Sequence, residues 1–183
     1  MYLRLQKPVA FLMGVLPFLW LLWRALFSGL GVNPVEAATH HTGAWTLRFL
    51  LAGLAVSPLQ YFFPGFCLQR LRRMIGLFAF FYACLHVLAY VVLDQFFAWK
   101  AILRDLTERP FIAVGMASFA SLVPLAITST GKMRRRLGRR WRQLHRLVYV
   151  AAIGGVMHYL WLVKADFRQP LVYPGVLTVL LAW

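Results

Sequence analysis

Five histidines occur in this 183-residue chain, and three of them, His86, His145 and His158, lie on apolar runs. An ionisable side chain at membrane depth is costly unless it is paired or used, so each is a candidate functional residue. Depth follows from counting at about 1.5 Å per helical residue from the nearest basic anchor. His86 comes 13 residues after Arg73, and His158 comes 12 after Arg146. Both therefore stand roughly 18 to 20 Å beyond a cluster of arginines, at matching heights. His145 adjoins Arg146, at the basic end itself. Two neutral imidazoles at one level on two helices are what bis-histidine ligation of a b-type haem requires, with the iron gripped inside a helix bundle. Hydrogen bonding of each imidazole to a neighbouring helix is the plainer alternative.

The elements that must carry these residues are apolar helices. Sixty-one per cent of the chain is hydrophobic and only 14% is charged, outside the range of soluble domains. High hydropathy also excludes a disordered chain, despite a net charge of +15. Runs long enough to cross a roughly 30 Å hydrocarbon core fall at about 8–30, 45–63, 74–93, 110–128 and 144–163, with a shorter one at 171–183. They predict an all-α, six-transmembrane-helix bundle forming a single domain over 1–183. Stop signals separate them: Gly31-Val32-Asn33-Pro34, Phe63-Pro64-Gly65, Arg109-Pro110 and Gln169-Pro170. The sixth run is short for a span, as though the native chain ran on past Trp183. The first resembles a signal peptide ending at Val35-Glu36-Ala37-Ala38, but its apolar stretch is too long for an h-region, which favours a retained helix.

Sorting the charges by side gives an orientation. With the N-terminus inside, Arg4, Lys7, Arg70, Arg72, Arg73, Lys132, Arg134, Arg135, Arg136, Arg139, Arg140, Arg142 and Arg146 face the cytoplasm, with no acid among them. The opposite side holds Lys100, Arg104, Arg109, Lys164 and Arg168 and all five acids, Glu36, Asp94, Asp105, Glu108 and Asp166. The positive-inside rule then puts both termini in the cytoplasm. His40 and His41 fall in the first outer loop, where solvated histidines are ordinary. Arginine forks suit anionic groups such as haem propionates or flavin phosphates. Arg72, Arg73, Arg142 and Arg146 at the inner end are candidates for that role, although topology and anionic headgroups also account for them. Arg48, near the outer end of the second run, is a further candidate that topology does not require.

Other signals are weaker. Cys67 and Cys84 form no CxxC or CxxCH, which argues against a disulfide framework and covalent haem attachment. Thirteen residues turn an ideal helix by about 220°, so His145 and His158 do not share one stripe unless the fifth helix is irregular. Gly154-Gly155 between them permits close packing, of a macrocycle or of a neighbouring helix. Trp99, Trp141, Tyr159 and Trp161 near the span ends read as interfacial aromatics, with stacking on a cofactor open for Trp141.

Six spans, Leu85-His86, the basic segment from Gly131 to Gly138, the run Trp141-Arg-Gln-Leu-His145-Arg-Leu-Val-Tyr149 and then His158 resemble the ferric reductase-like transmembrane domain. More narrowly they are similar to the haem-binding membrane subunits that serve a periplasmic molybdoenzyme methionine sulfoxide reductase. The resemblance implies one or two b-type haems, electron transfer across a bacterial inner membrane, and an MsrP-like catalytic subunit as partner. It also implies a quinol or reduced flavin donor, with FMN as a second cofactor, and an electron-transfer subunit rather than the catalyst of sulfoxide reduction. The wider superfamily carries two histidines on each of the third and fifth helices. Here the third supplies His86 alone, so His86 and His158 form a complete pair while an inner haem on His145 lacks its usual partner. No G-x-G-x-x-G fingerprint follows the last run, so reducing power comes from elsewhere. Two other classes remain: a histidine-lined proton or ion transporter, which would need acids at depth, and a structural anchor for a partner enzyme.

Overall fold

The structure, a computed structural model, describes residues 2–64, 68–162 and 172–182, with side chains from residue 6 onward. Cys67, Lys164, Asp166, Arg168, the Gln169-Pro170 stop signal and Trp183 lie outside the described residues, as does the Arg4 side chain. All regular structure among the described residues is helical: α1 Tyr2–Trp23, α2 Pro34–Phe62, α3 Gln69–Leu88, α4 Trp99–Glu108, α5 Pro110–Ile127, α6 Gly131–Leu137, α7 Arg139–Leu144, α8 Leu147–Leu162 and α9 Val172–Ala182. Two of them end in π-helical turns, α1 at Arg24–Ser28 and α3 at Ala89–Asp94. Three stretches are long and apolar enough to cross a membrane: Gln6–Ser28, Gln69–Asp94 and Pro110–Ile127.

Boundaries follow local chemistry. Asn33 caps α2 by accepting from the Glu36 backbone N–H at 3.2 Å, while its amide donates to the Glu36 carboxylate at 3.0 Å. Pro34 takes the first helical position, where a missing N–H costs nothing. The helix therefore starts eleven residues before the apolar run at 45, and His40 and His41, expected in a loop, lie on it. Between α3 and α5 a further helix, α4, carries Asp105, which is buried and accepts from Arg109 at 3.3 Å just before Pro110 starts α5. On the basic side the expected loop is two short helices broken at Gly138, whose φ of 51° is left-handed and suits glycine.

Residues group into two compact units, 1–98 and 99–183. In the first, α2 and α3 pack along their lengths through Leu47, Leu50, Leu54, Phe78, Ala79 and Ala83. Tyr82 is fully buried there and donates to the Gly14 carbonyl at 2.9 Å, tying α1 to the pair. In the second, α5 and α8 form the corresponding pair through Leu122, Leu125, Ala151, Ala152 and Val156. Ala79 and Ala151, both without exposure, mark the close approach in each pair. Large apolar side chains such as Leu12, Met13, Phe27, Leu103 and Val150 remain more than half exposed. Exposure on that scale suits a chain whose solvent is lipid.

Candidate functional site

The histidine of each helix pair is held in the same way. In the first unit, His86 near the end of α3 sits against the start of α2, with Nδ1 3.0 Å from the Thr39 carbonyl oxygen. In the second, His158 on α8 sits against the start of α5, with Nδ1 2.6 Å from the Phe111 carbonyl oxygen. A carbonyl can only accept, so Nδ1 carries the proton in both rings and the lone pair is on Nε2. Four residues beyond each carbonyl stands a glycine under the ring. A Cβ built on Gly43 would meet His86 Nδ1 and Cε1 at 3.0 Å, and one on Gly115 would meet His158 Nδ1 at 2.7 Å and Cε1 at 3.0 Å. Carbonyl, glycine and histidine recur at a constant offset of 72 residues: Thr39 and Phe111, Gly43 and Gly115, His86 and His158. Ala79 and Ala151 obey the same offset. The two helix pairs are thus two copies of one device.

This arrangement fits an axial haem ligand. Metal-bound histidine characteristically donates its other ring N–H to a carbonyl or carboxylate, which fixes ring orientation and raises basicity at the coordinating nitrogen. A packing histidine needs no such repetition. Sequence reasoning found both imidazoles by depth but missed Thr39, Gly43, Phe111 and Gly115; the 72-residue periodicity was the signal available to find them.

His145 is placed differently. It is not on the fifth span but closes α7, in the turn before α8 begins at Leu147, so the helix breaks between His145 and His158. The ring stacks on Trp141 with centroids 3.9 Å apart, and its Nε2 lies 3.2 Å from Thr128 Oγ1. That hydroxyl donates to the Pro124 carbonyl at 2.6 Å, so towards His145 it accepts, and Nε2 is the protonated nitrogen. The Trp141 indole donates to the Thr128 carbonyl at 3.0 Å and completes the cluster. His145 therefore carries the tautomer opposite to that of His86 and His158.

Of the arginines, Arg72 donates to Ser57 Oγ at 3.1 Å and, like Arg73, is exposed in the first unit. Arg142 and Arg146 are exposed in the second. Arg48 stacks over Trp45 at 4.8 Å. At about 100° per residue it stands opposite Thr39 on α2, away from the face that meets His86. Gly154 packs against Ser118 of α5, so it serves helix packing. Cys84 is a half-buried free thiol.

Residues 16–156 match the family model described as ferric reductase like transmembrane component. That defines the class: a membrane helix bundle of the ferric reductase type. Over 180 residues the chain is 52% identical to the protein-methionine-sulfoxide reductase heme-binding subunit MsrQ of Rhodospirillum rubrum, covering 98% of this chain and 86% of that one. Proteins of the same description from Herminiimonas arsenicoxydans and Caulobacter vibrioides are 49% and 47% identical, over 98% and 91% of this chain and 84% and 80% of theirs. The chain belongs to the MsrQ family.

Proposed function

We propose that this chain is a b-type haem subunit of a bacterial inner membrane, with His86 and His158 as axial ligands through Nε2. The carrying observation is the matched anchoring of the two rings, each Nδ1 on a carbonyl and each ring over a glycine, at one sequence offset. The names of the relatives, heme-binding subunits of a protein-methionine-sulfoxide reductase, support the same reading. When bound, the haem supplies a one-electron redox centre. Thr39 and Phe111 hold the imidazole protons on Nδ1, and Gly43 and Gly115 leave room for the rings. The chain binds and orients, and the partner performs the sulfoxide chemistry.

In this reading six helices span the membrane with both termini cytoplasmic. Electrons from a quinol or reduced flavin donor pass to a periplasmic MsrP-like molybdoenzyme that repairs oxidised proteins. His145, with Trp141 beside it, is the candidate ligand for a second, inner haem or the contact for FMN. Arg72, Arg73, Arg142 and Arg146 are the cations available there to propionates or a flavin phosphate. Substituting His86→Ala and His158→Ala tests the ligand assignment: each abolishes the low-spin haem spectrum of the purified protein. A wild-type visible spectrum in either variant overturns it.

A further inference from the structure

Within the first unit a second cluster lies on the face of α2 turned away from His86. His41 and Trp45 of α2 meet Trp20 of α1: the His41 ring stacks on Trp20 with centroids 5.0 Å apart and 23° between planes, and lies 6.4 Å from Trp45. Arg24 caps the row over Trp20 at 5.0 Å, and Arg48 caps it over Trp45 at 4.8 Å. Met13, Leu16 and Pro17 complete the wall of an open groove. Residues 13–20 are the central part of the apolar stretch Gln6–Ser28, which sets the groove at bilayer depth.

Two polar groups point to what the groove takes. His41 Nε2 is 3.0 Å from the Pro17 carbonyl and must donate to it, so Nδ1 is an acceptor. The Arg48 guanidinium, by contrast, offers only donors. Among the described residues it has no carboxylate within ion-pair distance. An unneutralised guanidinium at membrane depth marks a ligand site by default. An acceptor and a donor beside stacked indoles complement a flat ring bearing both hydroxyl and oxygen-acceptor character. An ionised phosphodiester headgroup offers acceptors only and would set its oxygens against the Nδ1 lone pair.

We infer that the groove between α1 and α2, lined by Trp20, His41, Trp45 and Arg48, binds the headgroup of a membrane quinol. The ring lies along the indoles, one hydroxyl donates to His41 Nδ1, and the other oxygen accepts from Arg48. Thr39 and Gly43 lie on one side of α2, and His41, Trp45 and Arg48 about 180–240° round from Thr39. The groove and the His86 ring therefore lie on different faces of α2, and Trp45 comes within 6.4 Å of Tyr82, one turn before His86 on α3. The inference deepens the reading above by giving its quinol donor a place, but its test does not depend on haem.

The test is a competition on the purified protein: decylubiquinone, whose carbonyls can only accept, reports occupancy by quenching tryptophan fluorescence, and decylubiquinol, kept reduced under argon, displaces it. Wild type shows saturable quenching that decylubiquinol relieves, and the quinol, which alone can donate to His41 Nδ1, binds the more tightly. Trp20→Phe reduces the quenching amplitude, and Arg48→Gln raises the half-saturating concentration at least tenfold. His41→Leu abolishes the preference for quinol over quinone. Because His41 also ties α2 to α1, the exposed Arg48 variant carries the test if that one fails to fold. Non-saturable quenching, or an unchanged midpoint in Arg48→Gln, overturns the inference. So does displacement of the quinone by an equal concentration of dioleoylphosphatidylglycerol, which would make the groove a phosphate site. If saturable quinone binding persists while the His86→Ala and His158→Ala proteins keep a wild-type haem spectrum, the ligand assignment fails and the groove stands.

Discussion

Replacing Gly115 by alanine sets two effects against each other. In an open helix the change stabilises by about 0.5–1 kcal/mol, because alanine loses less backbone entropy. Here the new Cβ would stand 2.7 Å from His158 Nδ1 and 3.1 Å from its Cγ, against about 3.4 Å for an ordinary contact. The ring must withdraw and stretch the 2.6 Å bond to the Phe111 carbonyl. Losing that bond costs about 0.5–1.5 kcal/mol, and forcing an extra methyl into a packed site typically costs another 1–3. The sum predicts net destabilisation of about 0.5–4 kcal/mol and a loss of haem. Gly43→Ala, with contacts at 3.0 Å, should show the same effect more weakly. Gly76→Ala, with nothing within 4 Å, should be neutral or stabilising. Thermal unfolding and the haem content per chain of the three purified variants measure the series. If Gly115→Ala is as stable as Gly76→Ala and holds wild-type haem, glycine is not making room for a positioned ligand.

Four further outcomes follow from local contacts. Ser118 Oγ is buried without a hydrogen-bond partner, so Ser118→Ala should be neutral or stabilising by up to about 1 kcal/mol in thermal unfolding. Gly154→Ala should destabilise because its Cβ meets that hydroxyl, and adding Ser118→Ala should restore stability, since Ser118 Cβ and Val114 Cγ1 then lie at 3.5 and 3.6 Å. Non-additivity in that double-mutant cycle is the readout. Asp105→Asn removes the partner of Arg109 and should loosen the α4–α5 elbow, seen as faster proteolysis or amide exchange there. Tyr82→Phe leaves the Gly14 carbonyl without its buried donor and should cost about 1–3 kcal/mol in thermal unfolding.

Sequence made the apolar helices and two of the three helical histidines readable, because bilayer length and the cost of a buried imidazole are strong constraints. From sequence, Asn33 and Pro34 read only as a break after the first run, and the stretch before Trp45 reads as loop because it is polar. Helix α2 forms there because the Asn33 cap and Pro34 start it without needing an apolar face, and Thr39, Thr42 and Thr46 satisfy their hydroxyls by donating to the carbonyl four residues back. His41 passed as a solvated residue for the same reason, although Trp20 and the Pro17 carbonyl hold it. His145 was placed on a continuous span because Leu144 and Leu147 flank it, whereas its stack on Trp141 and its bond to Thr128 belong to a turn. Thr39 and Phe111 act through backbone carbonyls, which side-chain identity does not report.

Low-temperature electron paramagnetic resonance of the oxidised, haem-loaded protein tests the central claim most directly. Ligation by His86 and His158 predicts a low-spin ferric signal typical of two imidazole ligands, replaced by a high-spin signal or lost when either histidine becomes alanine. A purely high-spin signal in wild type, or a low-spin signal unchanged in both variants, would contradict it.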